Sequence, residues 1–203
     1  MLPRALLAVL TLVLSCHRSV VLRADCLNPM SDGYFFSPGS VGYPAGSDLD
    51  GFVRGWYSRS LRLLAEPSLS CGEPAGETYR FMTTNDSTEA VRITHDGVGG
   101  GTLFGAETGD PMDTVDGTGS PGKVKRRTQF RITPQQWEQV EEIVKGSNFW
   151  KLPTSGGDRG ADGEDWVIEG RRRSDYHVVK RWSPRDGAIT RWLLLMKWAG
   201  FSE

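Results

Sequence analysis

The chain has 203 residues, of which 24 are basic and 25 acidic, so its formal net charge at pH 7 is −1. This near balance excludes the strongly basic composition typical of nucleic-acid binding, and we expect no nucleic-acid partner. Hydrophobic residues make up 38% of the sequence and seven residues are tryptophans, so the chain can fill the core of one domain.

The first 15 residues are typical of a bacterial export signal. Arg4 supplies a positive charge, and only Thr11 interrupts the apolar run 5–14. That run is too short to cross a bilayer, which takes ~20 residues. It ends in Val-Leu-Ser-Cys at 13–16, which resembles the lipobox of bacterial lipoproteins. The resemblance implies that residues 1–15 are a signal peptide and that Cys16 is lipidated; an ordinary secretory signal, cut after Ala24, is the alternative.

A lipid on Cys16 would make the membrane a partner of this chain through an N-terminal anchor. His17 follows this cysteine, in place of the Asp that retains lipoproteins in the inner membrane. The resemblance therefore implies a place in the cell envelope, at the outer membrane and facing the periplasm. In that oxidising compartment the two remaining cysteines, Cys26 and Cys71, are expected to form a disulfide.

The rest of the chain is divided into a tether, 16–47, that partly packs against the domain, and a single domain, 48–203. Ser47 or Asp48 can cap a first helix, and Pro67 stops it. Its apolar residues recur near helical spacing, and we expect this stripe to face the core. The stripe consists of Leu49, Phe52, Val53, Trp56, Leu63 and Leu64. An amphipathic helix on a membrane surface is the alternative, because arginines lie on the other side of the helix.

Six short runs rich in β-branched and aromatic residues predict strands at 78–83, 90–94, 102–106, 125–132, 166–169 and 176–182. Thr133, Pro134 and Gln136 predict a capping box at the start of a second helix, with a left-handed end at Gly146. A third helix is predicted from a cap at 186 to Gly200. No βαβ repeat is present, so we predict one α+β domain with a mainly antiparallel sheet of about six strands and about three helices.

Two loops have compositions that are found in ligand sites but lack the complete patterns. The glycine-rich run 98–101 is not followed by Lys-Ser or Lys-Thr, as a phosphate loop would be. Asp110, Asp113 and Asp116 lack the alternate ligands and the closing Glu of a calcium loop. We therefore expect neither a metal nor a cofactor.

Short motifs between residues 61 and 200 resemble those of a family of uncharacterised bacterial proteins. The motifs are Glu77-Thr78-Tyr79-Arg80-Phe81, Phe149-Trp150-Lys151-Leu152-Pro153, Asp162-Gly163, Trp166, Glu169-Gly170, Tyr176-His177 and Arg181-Trp182-Ser183-Pro184. The last five, which form a DG-W-EG-YH-RWSP series, are the most specific part of this resemblance. The family brings no established activity. Between the first two strands the run 83–88 replaces the aromatic residue and paired histidines expected from the family, so no metal or catalytic site is expected there.

The candidate catalytic residues are Asp165, directly before the hairpin 166–182, and Glu169, His177 and Arg181 within it. It can place a carboxylate beside the imidazole, as in many acid–base sites. If Glu169 and His177 share a sheet face, the carboxylate should raise the pKa of the imidazole. A cross-strand ion pair that handles no ligand is the interpretation we favour.

Two functions follow from these observations. We expect an envelope lipoprotein with a non-catalytic domain that binds a protein or a small ligand or is structural. The alternative is a periplasmic hydrolase that uses His177 with Glu169 or Asp165. A pocket around His177 would favour the hydrolase, whereas a hairpin packed flat under a loop would favour the binding domain.

Overall fold

A computed structural model describes residues 34–70, 76–84, 87–108, 123–156 and 162–201. The strands are β1 (Thr78–Thr84), β2 (Thr88–His95), β3 (Gly101–Thr108), β4 (Val124–Ile132), β5 (Ser155–Gly156), β6 (Asp165–Arg172) and β7 (Asp175–Trp182). They form one sheet in the order β4-β3-β2-β1-β6-β7-β5. Every neighbouring pair is antiparallel except β5 and β7. The predicted α+β domain with a mainly antiparallel sheet is confirmed.

The helices are α1 (Asp48–Leu63), α2 (Pro134–Gly146), a 3₁₀ turn (Phe149–Lys151), α3 (Gly187–Thr190) and α4 (Leu193–Ala199). Ser47 caps α1, and Thr133 with Gln136 forms the predicted capping box of α2. The last predicted helix is divided into α3 and α4. After α2 the left-handed residue is Asn148, with φ of 53°, rather than Gly146. Asparagine tolerates this conformation because its short polar side chain can bond locally.

Helical elements cover both faces of the sheet, so the domain has three layers. On one face, hereafter the α2 face, α2, the 3₁₀ turn, α3 and α4 bury a core that includes Tyr79, Phe81, Val140, Phe149 and Trp192. On the other, hereafter the α1 face, α1 packs with residues 35–41 of the tether over a second core. That core includes Phe36, Val41, Tyr57, Leu61, Met82 and Val178. No helix in the described ranges is long and apolar enough to cross a membrane.

The apolar stripe predicted for α1 is only partly correct. Val53 and Leu64 are buried as expected, together with Tyr57 and Leu61. Leu49 and Phe52, which were expected in the core, are instead 57% and 68% exposed. Helical spacing gave the wrong set because α1 has apolar residues on two sides, and periodicity alone does not show which side meets the sheet.

Strands β6 and β7 form the predicted hairpin. Arg172 pairs with Asp175, so the turn between the strands has two residues. Its first residue, Arg173, has φ of 54°, the sign that two-residue hairpin turns require at this position. Gly170 and His177 are direct partners across the hairpin. A Cβ at Gly170 would lie 2.5 Å from Cε1 of Phe149, so only glycine lets this ring pack against the strand beside His177.

Candidate functional site

The four candidate residues of the hairpin lie on opposite faces of the sheet. Glu169 pairs with Val178, and both side chains point to the α1 face. His177 is the next residue before Val178, so its side chain points to the α2 face, where it contacts Phe149. Asp165 lies on the α1 face with Glu169, and Arg181 on the α2 face with His177. The predicted pairing of His177 with Glu169 or Asp165 is therefore wrong.

His177 lies in an aromatic and backbone environment on the α2 face. Its ring is edge-on to Phe149, with centroids 5.1 Å apart, and tilted to Trp150 at 6.3 Å. Nε2 is 2.9 Å from the carbonyl oxygen of Leu152. Burial lowers the pKa of His177, and the charge on Arg181 adds to this, although the Leu152 carbonyl opposes it. The predicted rise in the pKa of His177 is therefore also wrong, because the ring lacks the expected carboxylate partner.

Arg181 extends from β7 to the segment before β5. It donates to the carbonyl oxygens of Pro153 at 3.0 Å and of Lys180 at 2.7 Å. Burial lowers its pKa, while the negative charge of Asp186 opposes the shift. These contacts join the hairpin to the chain that follows the 3₁₀ turn, which is a structural role.

Glu169 is the centre of a buried charge network on the α1 face. The Arg80 guanidinium bonds to Oε2 of Glu169 through Nε, at 2.6 Å, and through Nη2, and Tyr176 donates to Oε1 at 2.8 Å. Glu66 lies 3.3 Å from Arg80 and 2.9 Å from Arg92. Burial opposes the charge of Arg80, but Glu169 and Glu66 outweigh it and raise its pKa. Burial, followed by Glu169, raises the pKa of Tyr176, so this phenol stays protonated.

Asp165 forms a second buried cluster at the opposite end of β6. It accepts a hydrogen bond from the Tyr57 hydroxyl at 2.5 Å, and the ammonium of Lys180 lies 3.0 Å from its other oxygen. Tyr57 belongs to α1 and Lys180 to β7, so this cluster fixes the helix to the sheet. Asp165 and Glu169 are thus each committed to partners inside the protein, as buried charges usually are.

A cleft opens on the α2 face, between the end of α2, the 3₁₀ turn and the ends of β1 and β6. Its volume is about 400 Å³, within the range of small-ligand sites. The lining residues are Glu77, Tyr79, Glu141, Val144, Lys145, Asn148, Phe149, Trp150, Lys151 and Arg172. We call it the aromatic cleft, because Tyr79, Phe149 and Trp150 contact one another there with centroids 5.1 to 6.1 Å apart.

The polar groups of the aromatic cleft are held in place by hydrogen bonds between neighbours. The Tyr79 hydroxyl donates to Oε1 of Glu77 and accepts from Nε1 of Trp150 at 3.2 Å. Nε1 of Trp137 donates to Oε1 of Glu141 at 3.0 Å. Burial and the Glu77 carboxylate raise the pKa of Tyr79, so its hydroxyl remains a fixed donor rather than a base.

Three exposed cations surround these aromatic rings. Arg172 lies over the Trp150 ring, 4.9 Å from its centroid, and Lys145 and Lys151 line the same cleft. None of the three forms a salt bridge with any residue in the described ranges. The cleft therefore offers the Trp150 ring beside three cations, together with the carboxylates of Glu77 and Glu141.

The sequence did not predict this cleft, although five of its lining residues, Glu77, Tyr79, Phe149, Trp150 and Lys151, stand in the motifs quoted above. Phe149 and Trp150 follow the second predicted helix, where two adjacent aromatic residues favour packing into the core. Phe149 is buried, whereas Trp150 is only half-buried and borders the cleft. The sequence contained one signal of this position. Lys151 directly follows Trp150, and a charged residue there indicates that the tryptophan lies at the edge of the core.

A strongly shifted carboxylate lies elsewhere on the α2 face. Glu89 on β2 stands directly opposite Glu107 on β3. Burial, then Glu107 and more weakly Glu164, raise the pKa of Glu89 to about 7, although Arg126 opposes the rise. Among the described residues, no group of three or more His, Cys, Asp or Glu side chains is arranged to hold a metal ion.

The predictions for Cys16 and for the Cys26–Cys71 disulfide lie outside the described residues. No protein-family model matches the chain, and a comparison with curated proteins finds no match. The resemblance to uncharacterised bacterial proteins and the lipobox therefore stay predictions.

Proposed function

We propose that the chain is an envelope lipoprotein whose domain binds a small ligand in the aromatic cleft without catalysing a reaction. One observation carries this proposal. In the cleft, the half-buried ring of Trp150 lies beside three exposed cations that have no salt-bridge partner in the described ranges. Such a combination is typical of binding sites, which are largely apolar with a few charged groups that orient the ligand.

The contacts of the hairpin residues support a domain without catalysis. A hydrolase that used His177 would need a carboxylate or another partner to orient its imidazole. His177 contacts a backbone carbonyl instead, and both carboxylates lie on the other side of the sheet. We therefore do not propose the hydrolase.

The chemistry of the cleft favours a small anion that carries a ring. Glu77 and Glu141 each accept a hydrogen bond from an aromatic side chain, so part of their acceptor capacity is already used. Lys145, Lys151 and Arg172 can pair with a carboxylate or phosphate, and the ring of the ligand can pack against Trp150.

An NMR titration of the indole N–H of Trp150 tests this site. We expect its resonance, assigned with Trp150→Phe, to shift when glucuronate or benzoate is added, and to shift less with inorganic phosphate, which has no ring. Arg172→Gln should weaken the response to glucuronate and benzoate by about tenfold, the effect of losing one charge-assisted contact. Arg191→Gln, which removes an exposed arginine outside the cleft, is the matched control. If both arginine variants respond alike, or if the Trp150 resonance does not move, the cleft is not the binding site.

The anchor is tested separately in cells. Cys16→Ser should abolish incorporation of labelled palmitate and move the protein from the membrane fraction to the periplasm. Undiminished incorporation of labelled palmitate after this substitution would rule out the lipobox proposal.

A further inference from the structure

Helix α1 has a second apolar stripe, beside the one that meets the sheet; its residue Trp56 also packs against the core on that face. Leu49, Phe52, Trp56 and Leu63 follow one another at spacings of three, four and seven residues, which places them on one side of a helix. Leu49 and Phe52 are mostly exposed, and Trp56 and Leu63 are half-buried. We call this set the outer stripe of α1. It is distinct from the inner stripe of Val53, Tyr57 and Leu61, which meets the sheet.

The outer stripe departs from the usual pattern of a surface helix. A helix that packs against one sheet needs one apolar side, and the opposite side is normally polar. Contiguous large apolar side chains at the surface mark sites that contact another protein or a membrane. Leu49 and Phe52 are two of only four large hydrophobic residues in the described ranges that are classed as exposed. Their position on consecutive turns of one helix makes a contact surface.

The N-terminal part of the described chain lies directly against α1. A Cβ at Gly55 would lie 3.2 Å from Cε1 of Tyr34, and the Arg54 guanidinium is 4.1 Å from the centre of the Tyr34 ring. Cys16 precedes Tyr34 by eighteen positions. Even fully extended, a connection of that length spans at most about 60 Å. A lipid on Cys16 would therefore keep α1 within reach of the bilayer surface.

We propose that the outer stripe of α1 docks on the lipid bilayer, beside the lipid carried by Cys16. This inference builds on the lipoprotein assignment proposed above. Leu49 and Phe52 would enter the boundary between head groups and acyl chains. Arg59 is exposed on the same side and can reach lipid phosphates, whereas Asp48 is exposed at the start of the helix. With one cation and one anion at this surface, docking depends on apolar contact and little on anionic lipid.

Docking through this stripe would orient the whole domain. The outer stripe and the aromatic cleft lie on opposite sides of the sheet, because α1 covers one face and the cleft opens on the other. A bilayer in contact with α1 would leave the cleft directed away from the membrane and open to solutes.

Photo-cross-linking of the full lipidated chain in vesicles of phosphatidylethanolamine and phosphatidylglycerol tests the docking. A benzoyl-phenylalanine in place of Phe52 should give an adduct with lipid. The same photo-reactive residue in place of Val98, an exposed residue of the β2–β3 turn, is the control and should give none. Vesicles of phosphatidylethanolamine and phosphatidylcholine should give the same lipid adduct, because little of the contact is electrostatic. In a second arm, Leu49→Ser should leave thermal unfolding unchanged but should reduce the lipid adduct at position 52.

The outcomes distinguish the docking proposal from the proposal that Cys16 carries a lipid. If the chain takes up palmitate but position 52 cross-links to a second copy of the chain, or to nothing, the docking proposal is wrong and the anchor stands. If Cys16→Ser still gives the lipid adduct at position 52, the stripe docks without the anchor, which supports the docking, and incorporation of palmitate alone decides the lipobox proposal. Equal lipid adducts at positions 52 and 98 would also overturn the docking, because they would show contact without orientation.

Discussion

The environment of His177 shows how strongly a single residue depends on which side of a strand it occupies. The carboxylates of Asp165 and Glu169 lie on the opposite face of the sheet. The face that His177 occupies contains Phe149, Trp150 and the carbonyl of Leu152. Burial without a counter-charge favours the neutral imidazole, which is why its pKa is lowered rather than raised.

This direction predicts how stability depends on pH. Because the folded pKa of His177 lies below its unfolded value of ~6.5, the unfolded chain binds the proton more readily. Stability should therefore be unaffected by this residue above pH ~6.5 and should fall as pH decreases through that value toward the folded pKa. His177→Gln should remove this part of the pH dependence, measured as the free energy of unfolding in urea between pH ~5 and ~8. An identical pH dependence in both proteins would contradict this explanation.

Glu89 predicts a dependence of stability on pH that is opposite in sign to that of His177. Its pKa of about 7 in the folded protein lies above the ordinary value of a glutamate, so the fold favours its protonated form. Its contribution to stability is present below the unfolded pKa and is lost as pH rises to about 7. Glu89→Gln should therefore stabilise the protein at pH ~8, by about 1–2 kcal/mol once solvent screening of this half-exposed group is allowed for, and should have little effect at pH ~4. Glu138→Gln, which removes an exposed carboxylate on α2, is the control and should lack this difference.

At the scale of elements, the buried network around Glu169 joins β1, β6 and the segment after α1. Arg80, Glu169 and Glu66 come from these three places and exclude water from their contacts. Buried ion pairs add little net stability, but the loss of one partner leaves a charge without compensation. The network therefore fixes how the three segments are arranged more than how stable they are.

A double-mutant cycle of Arg80 and Glu169 separates the effect of the network on stability from its effect on how the segments are arranged. Glu169→Gln should destabilise the protein by about 3 kcal/mol, because Arg80 is then left with only part of its compensation. Arg80→Met with Glu169→Gln should be less destabilising than the sum of the two single changes, since no charge is stranded and Glu66 keeps its contact with Arg92. The free energy of unfolding in urea measures all four proteins of the cycle. Additive effects would mean that the two side chains do not act as a pair.

Local sequence signals predicted most elements because their causes are local. The capping box at Thr133, the cap at Ser47 and the β-branched and aromatic runs of the six longer strands depend on neighbouring residues. Strand β5 has only two residues and pairs with β7 in parallel, so no periodicity could indicate it. The orientation of α1 also escaped prediction, because it depends on which of two apolar stripes meets the sheet.

At the scale of the whole molecule, the candidate site was the part that sequence could least predict. The register of the hairpin decides which face each side chain occupies, and a shift by one residue would exchange the faces. The aromatic cleft combines residues from β1, α2, the 3₁₀ turn and the end of β6, which are separated by up to ninety-five positions. Only the packed sheet brings Glu77 and Arg172 to the same opening.

The docking proposed above would orient the three layers so that α1 faces the membrane and the aromatic cleft faces away from it. Trp56 and Trp150 report these two sides, since one belongs to α1 and the other borders the cleft. The most direct test is NMR of the lipidated chain in bicelles that contain a spin-labelled lipid, with the two indole resonances assigned by Trp56→Phe and Trp150→Phe. We predict that the spin label broadens the Trp56 indole signal and leaves that of Trp150 sharp. Broadening of Trp150 with Trp56 unaffected, or of neither residue, would contradict this arrangement.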